Sequence, residues 1–512
     1  MNLREVLHVV GGLLVSAALA MAPCALVSIG EGLLGAWAVA IGISAGLGAA
    51  LWLSTPRRVF LNPREALAIV GLGWIAIVHA GAVPFLTTGV APTPAAALFE
   101  SVSGFTTTGA TVFAVVEALP RSILLWRSVT HWIGGMGIIV LGVAILPLIG
   151  VGGAQLFRAE APGIATDRIQ PRIASTARLL WSVYLLFTAL LASLYVLLGM
   201  SVFEAVNHAM SALATGGFST RTASLAAFSP AIQWVTILFM FAAGVNFTLH
   251  YRFLAGEWRT WFQDVEWRWY VGSIAVVTVV CFGVLGLGGG EWSAAGLRRA
   301  LFNVVAIHST TGFATDDFAA WPAVCLVLFV GMMFMGAMGG STGGGFKVVR
   351  GAVVTQHVLR EVRKVVHPRA IIVTRLGRHP IRPEVVLNVL AFLALYMFTH
   401  AAGTIALAAL GNDLVTSLSA SLAALSSIGP GLGAVGPASH YGDLGSAAHL
   451  LLAVLMLLGR LEFYTLLVLL MPETWVRDRR RRASSYAAGR RPRAGARPEE
   501  RAEAPAGGGT AG

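Results

Sequence analysis

SGFTTTGATV, residues 103–112, sets three threonines and a glycine in a row inside an otherwise apolar chain. Three other stretches share its pattern: SALATGGFS at 211–219, STTGFAT at 309–315 and SSIGPGLG at 426–433. Each holds a small or hydroxylic residue, one more residue and then a glycine, which aligns Gly109, Gly216, Gly312 and Gly429. The spacings of 107, 96 and 117 residues define a repeated unit, and a repeat has to be recognised before the fold is argued. Each unit begins with an apolar run long enough to span a bilayer, at 65–85, 177–199, 269–288 and 385–409. A shorter semi-apolar run follows: PAAALFESVSGFTTTG, VFEAVNHAMSALATGG, GLRRALFNVVAIHSTTG or DLVTSLSASLAALSSIG. These are too short to cross and suit re-entrant segments. A second full span then returns, at 122–149, 232–254, 322–350 and 443–471.

Composition fixes the solvent. Of 512 residues 56% are hydrophobic and 12% charged, against roughly 25% charged in soluble domains. The first apolar run, VLHVVGGLLVSAALAMAPCALVSI, is too long for a signal-peptide core and lacks an A-x-A site near its end, so it is expected to span. A second run, LLGAWAVAIGISAGLGAALWL, follows it. The chain reads as an all-α polytopic membrane protein of four helix–pore-loop–helix units. Non-helical backbone at membrane depth is tolerated only where it is buried or lines a water-filled path. Four such turns point to a meeting on a pseudo-fourfold axis, where rings of carbonyls can replace a cation's hydration shell. Glycine permits the backbone angles that aim carbonyls inward, and threonine adds a hard hydroxyl oxygen.

Charge gives the topology. Basic loops hold Arg57, Arg58 and Arg64; Arg158, Arg168 and Arg172; Arg252, Arg259 and Arg268; and the segment from Lys347 to Arg382, which includes Arg350, Arg360, Arg363, Lys364, Arg369, Arg375 and Arg378. An even number of crossings separates successive loops, so the positive-inside rule puts all of them, and both termini, in the cytoplasm. The net charge of +12 is concentrated in the tail 476–512, whose ten arginines and four acids give +6. That tail has almost no large apolar residues, is expected to be disordered and suits anionic lipid headgroups better than nucleic acid. Cys24, Cys281 and Cys325 lie in apolar runs without metal-ligand spacing and are expected to pack.

Two other features carry chemistry. GAMGGSTGGGFK, residues 336–347, interrupts the second span of the third unit. Each glycine inside a helix costs about 1 kcal/mol relative to alanine, so the helix breaks here. A nucleotide-binding loop would need G-x-x-x-x-G-K-[ST], whereas Phe346 separates glycine from Lys347 and Val348 follows. The remaining reading is a flexible intramembrane loop below the turns, where Lys347 obstructs a cation path by volume and charge. Arg460, in LLGRLEF, is expected mid-span, where a charge must face a path or a partner, with Glu462 pointing elsewhere. Asp316 and Asp317 follow the third turn and would concentrate cations, against Arg221 at the second mouth. His131, His208, His250 and His308 are scattered without ligand spacing such as H-E-x-x-H, which argues against an intramembrane enzyme.

With these motifs in place, the chain resembles the Trk-type membrane subunit of the Trk/Ktr/HKT potassium uptake superfamily over roughly residues 1–475. The likeness rests on ESVSGFTTTGATV, LLWRSVTHWIGGMGIIVLGVAILPLIGVGGAQLFRAEAPG, NHAMSALATGGFST, GSTGGGFKVVR, SSIGPGLG and LMLLGRLEFYTLLVLL. It implies a K+-conducting pore, two extra N-terminal helices, a homodimer and a cytosolic nucleotide-binding regulatory ring. It implies a filter at Thr107, Thr108 and Gly109; Ala214, Thr215 and Gly216; Thr310, Thr311 and Gly312; and Ser427, Ile428 and Gly429. It makes the intramembrane loop a gate, through Gly336, Gly339, Gly340, Ser341, Thr342, Gly343, Gly344, Gly345 and Lys347, with Arg460 as an electrostatic barrier. The implied division is an N-terminal pair (1–56), repeat 1 (57–152, filter 106–110), repeat 2 (153–260, filter 214–218), repeat 3 (261–365, filter 310–314), repeat 4 (366–475, filter 427–431) and the basic tail. Within the superfamily a serine in place of the first-repeat glycine goes with Na+ transport, so Gly109 favours K+ over the alternative of Na+ or mixed K+/Na+ conduction. His308 departs from the small residue expected before the third turn and is expected to pack behind it or to confer pH sensitivity. The setting implied is a bacterial inner membrane.

Overall fold

A computed structural model of the chain describes residues 3–55, 63–144, 169–289, 292–377 and 379–475. Arg57, Arg58, Arg158, Arg168 and Arg378, the end of the 122–149 span and the tail 476–512 lie outside the described residues. Two N-terminal helices, α1 (Leu3–Val27) and α2 (Leu34–Ser54), lead in. They cross closely: a methyl group on either Gly11 or Gly48 would overlap the other helix's backbone.

Four hairpins follow. The first is α3 (Pro63–Thr87), the half-helix α4 (Pro94–Phe105) and α5 (Arg121–Ala144). The second is α6 (Ile169–Leu197), α7 (Val202–Leu213) and the pair α8 (Pro230–Ala243) and α9 (Phe247–Leu254). After the short α10 (Arg259–Gln263), the third is α11 (Val265–Leu287), α12 (Ala294–His308) and α13 (Ala323–Met335), with α14 (Val348–Val366) beyond the glycine-rich loop. The fourth is α15 (Pro383–Ala409), α16 (Leu414–Ser426) and the pair α17 (Ser446–Arg460) and α18 (Tyr464–Leu470). A two-residue antiparallel pairing, Arg375–Leu376 with His379–Pro380, lies between α14 and α15.

Among the described residues, six helices are long and apolar enough to cross a membrane, or up to eight when each bent pair is one span. The half-helices run 12, 12, 15 and 13 residues, too short to cross. All four start on a side-chain cap that accepts an amide of the first turn: Thr93 from Ala96, Ser201 from Glu204, Ser293 from Gly296 and Asp413 from Thr416. Such caps are worth about 1 kcal/mol each and fix where each half-helix enters.

Two expected spans are corrected. The runs 232–254 and 443–471 are not single helices: α8 and α9 meet at 103°, and α17 and α18 at 113°. The first break is made by Asn246, whose Oδ1 accepts the Thr248 amide, and by the Gly340 carbonyl, which accepts the Phe247 amide at 3.1 Å. At the second, Glu462 and Phe463 take left-handed backbone, φ 57° and 51°. Arg460 therefore sits at the end of α17 and not mid-span. Glu462 points elsewhere than Arg460, as expected: its carboxylate pairs with Arg350 at 2.6 Å.

Candidate ion pathway

The residue after each half-helix's last turn repeats one backbone design. Thr107, Thr215, Thr310 and Ser427 are left-handed, with φ between 53° and 61°. Their amides bond three residues back, to Gly104, Ala212, Ile307 and Ala424. The next amides, on Thr108, Gly216, Thr311 and Ile428, bond five residues back, to Ser103, Ser211, Ala306 and Ala423. Left-handed glycines come next: Gly109, Gly217, Gly312 and Gly429, φ 83°, 84°, 74° and 93°. Alternating hand along a strand gathers N–H groups on one side and leaves the carbonyls to the other. A left-handed non-glycine residue costs about 1–2 kcal/mol, so four of them at equivalent places mark a site imposed by the surroundings.

This pattern shifts the second repeat by one residue. The backbone equivalent of Thr107–Thr108–Gly109 is Thr215–Gly216–Gly217, not Ala214–Thr215–Gly216. Ala214 instead closes α7 as Thr106 closes α4 and Ser309 closes α12. The physical reason lies in a distant helix: the His131 ring from α5, stacked on Phe218 with centroids 4.1 Å apart, fills the space where the other repeats carry a Thr or Ile side chain. A methyl on Gly216 would overlap that ring.

The four turns close on one another. A methyl on Gly109 would overlap the Gly216 carbonyl oxygen, one on Gly217 the Thr311 oxygen, one on Gly312 the Ile428 oxygen, and one on Gly429 would lie 2.6 Å from the Thr108 oxygen. First to second, second to third, third to fourth and fourth to first, the glycines back onto the next turn's carbonyls. Among the described residues the carbonyls at the three positions of each turn accept no hydrogen bond, Gly429 excepted. The half-helices also point their C-terminal, negative ends at the ring, which favours a cation there. The hydroxyls differ by repeat. Thr106 meets Thr108 at 2.8 Å and Ser309 meets Thr311 at 2.7 Å, while the buried Thr107 and Ser427 hydroxyls meet no partner among the described residues.

Each half-helix braces the limb beyond its turn. Glu100 accepts the Val112 amide at 2.7 Å and the Thr111 hydroxyl at 2.5 Å, His208 meets the Ser219 hydroxyl at 2.9 Å, Asn303 bonds Thr315 and Ser419 bonds Leu432. The first brace is charged. Glu100 and Arg127 are both buried, with Arg127 Nε 3.4 Å from the carboxylate, 4.0 Å above the Phe218 ring and donating to the Ser219 carbonyl. It thereby links repeats one and two. The sequence reading missed this pair; the signal available was a lone Glu and a lone Arg within apolar runs. His308 packs behind the third turn, buried, with Nε2 2.7 Å from the Ser273 hydroxyl and its ring against Tyr270. Asp316 accepts the Trp321 indole and the Asp317 amide, Asp317 caps the next turn, and Arg221 pairs with Glu204 at 2.6 Å.

The segment 336–347 lies against the ring's other side. Gly344 donates its amide to Thr310 Oγ1 at 2.7 Å, and a methyl on Gly343 or Gly344 would crowd the Ser309 or Ser426 carbonyl. Thr342 donates to the carbonyls of Leu213 and Ala243, and its own carbonyl accepts from Arg460 Nη1 at 2.8 Å. Lys347 Nζ folds back onto the Gly343 carbonyl. Glu266, which the sequence reading passed over, accepts amides from both flanks, Gly339 at 2.7 Å and Val349 at 3.0 Å. These bonds tie the segment at several points, and among the described residues the buried Nε and Nη2 of Arg460 meet no partner.

A family model described as TrkH, cation transport protein, matches residues 37–475. The Trk system potassium uptake protein TrkH of Halomonas elongata is 39% identical over 484 residues, covering 93% of this chain and 100% of that protein. TrkH of Escherichia coli strain K12 is 38% identical over 439 residues, 85% of this chain and 90% of that protein. The crystal structure of the potassium transporter TrkH from Vibrio parahaemolyticus superposes with a TM-score of 0.86 at 38% identity, covering 93% of this chain and all of that one. Four hairpins with matched turns, and these likenesses over most of its length, place the chain in the TrkH family of cation transport proteins.

Proposed function

We propose that the chain carries K+ inward across a bacterial inner membrane, through the ring of turns at Thr107–Gly109, Thr215–Gly217, Thr310–Gly312 and Ser427–Gly429. The observation that carries this reading is the closed ring of four turns whose carbonyls, Gly429 excepted, meet no donor among the described residues. Free carbonyls buried at membrane depth are costly unless an ion or water meets them, and carbonyl rings suit K+. The relatives named for potassium uptake support the choice of ion. The driving force is the membrane potential, worth about 2.3 kcal/mol per charge per 100 mV.

The segment 336–347, with Lys347 and Arg460, acts as the gate: it fills the space under the ring and places cationic groups there. Opening needs the plug withdrawn, and α14, which continues from it and carries Arg360, Arg363 and Lys364, offers the handle. A cytosolic nucleotide-binding ring subunit is the regulator in this reading, a homodimer the membrane assembly, and both termini face the cytoplasm, as the basic loops require. The test is rescue of a K+-uptake-deficient bacterial strain at low external K+, with a compatible regulatory subunit co-expressed. Wild type rescues, and Gly109→Ser loses K+ uptake or gains Na+ uptake. Absence of K+ uptake by correctly inserted wild type would refute the reading.

A further inference from the structure

One ring carbonyl is engaged by the protein. Tyr441, on the outer limb of the fourth repeat, donates its hydroxyl to the Gly429 carbonyl at 2.6 Å. Nothing among the described residues donates to the carbonyls of Gly109, Gly217 or Gly312. Tyr441 is itself fixed at every polar atom. Its amide donates to the Thr111 carbonyl of the first repeat at 2.8 Å, and its carbonyl accepts His449 Nε2–H at 2.8 Å. Its ring, 3% exposed, lies against Phe99, centroids 5.4 Å apart. The His449 ring rests on the same Phe99 at 5.2 Å. Gly429 is further restrained by Pro430, since a proline limits the backbone of the residue before it. The other ring glycines precede Ala110, Phe218 and Phe313.

We infer that Tyr441 is a positioning residue for ion discrimination: its hydroxyl anchors the Gly429 carbonyl and makes the fourth turn the stiff, weak-field wall of the ring. This rests on the reading of the turns as the K+ path. Two effects act in one direction. An anchored carbonyl cannot swing onto a cation smaller than K+. A carbonyl that already accepts a hydrogen bond also presents a weaker field, which favours the larger and less tightly hydrated ion. Both cavity size and field strength are recognised sources of K+/Na+ selectivity. In the fourth turn Ile428 stands where the first and third carry a paired hydroxyl, and Tyr396 holds the Ser426 hydroxyl while Tyr441 holds the Gly429 carbonyl.

The test reads initial K+ and Na+ uptake rates in the K+-uptake-deficient cells for wild type, Tyr441→Phe and Phe99→Leu. Tyr441→Phe keeps the ring and removes the donor. Its K+/Na+ uptake ratio is expected to fall about fivefold, the equivalent of one ordinary hydrogen bond of ~1 kcal/mol. Phe99→Leu loosens the packing but leaves the hydroxyl, and is expected to lower thermal stability with the ratio unmoved. An unchanged ratio in Tyr441→Phe overturns the inference, and so does an equal fall in Phe99→Leu, which would make the effect one of packing. Wild type that takes up no K+ overturns the pathway itself, and this shows before any substitution is compared.

Discussion

Gly216 and Gly217 look interchangeable in ATGGF, yet they do opposite jobs. Gly217 is left-handed and backs onto the Thr311 carbonyl, so a side chain there meets both a backbone penalty and a fixed oxygen. Gly216 has ordinary backbone, and the atoms nearest its side-chain space are those of the His131 ring. Gly217→Ala is therefore expected to cut K+ uptake by about tenfold or more, the effect of roughly 1.4 kcal/mol of misplacement, and nothing at position 131 restores it. Gly216→Ala should also lose uptake alone, but His131→Ala in the same chain should recover much of it. Uptake rates of the two singles and two doubles decide this, and equal rescue of both glycine variants would disprove the assignment. The motif itself was legible, because a small or hydroxylic residue, one more residue and a glycine recur four times at matching places in the hairpins. The one-residue shift was not, because it depends on a histidine 85 residues earlier than Gly216 that only the fold brings near.

At the scale of elements, helices and their order follow from apolar runs, and the half-helices follow from their length and their Thr, Ser, Ser and Asp caps. The bends do not, because the runs 232–254 and 443–471 are apolar enough over their length to read as single spans. What breaks them is tertiary: the Gly340 carbonyl takes the Phe247 amide, and Arg350 holds Glu462 in a left-handed corner with Phe463 packed against Phe392. Asn246 was the one local cue. The segment 336–347, the proposed plug, is tied to Glu266 in the same long-range way. Its carboxyl Oε1 accepts both the Gly339 amide and the Val349 amide in the first turn of α14, and leaving a buried amide without its acceptor costs about 1–3 kcal/mol. Glu266→Ala is expected to loosen the segment. Amide exchange at Gly339 and Val349 should speed up at least about tenfold, and Rb+ leak without a regulatory subunit should rise. Glu266→Gln, which keeps the one oxygen that accepts both amides, should stay close to wild type. Unchanged exchange and leak in Glu266→Ala would show that the plug is held elsewhere.

At the scale of the molecule, four units with little sequence in common must stay in one ring, and the loops beyond the turns show how. Glu117 of the first repeat takes the Thr222 amide at 2.8 Å and the Thr222 hydroxyl. Ser224 and Leu225 of the second repeat bond Ala314 of the third. Tyr441 of the fourth bonds Thr111 of the first. None of these seams is visible in sequence, since each joins loops about a hundred residues or more apart, and their residue types are ordinary for loops. The first seam carries a titratable group. Partial burial works against ionising Glu117, but the hydrogen bonds from Thr222, with the charge of Arg221 behind them, outweigh it and hold the carboxyl below its usual range. A lowered folded value means the seam stabilises the protein above the ordinary Glu range and loses that contribution as pH falls through the folded value. Glu117→Gln should thus melt lower than wild type at pH 7, by about 1 °C for a largely exposed pair, and the gap should shrink below about pH 4. The measurement is thermal unfolding of both proteins in detergent across that range. A gap that persists unchanged at low pH would mean that the neutral hydrogen bonds to Thr222, and not the charge, hold the first two repeats together.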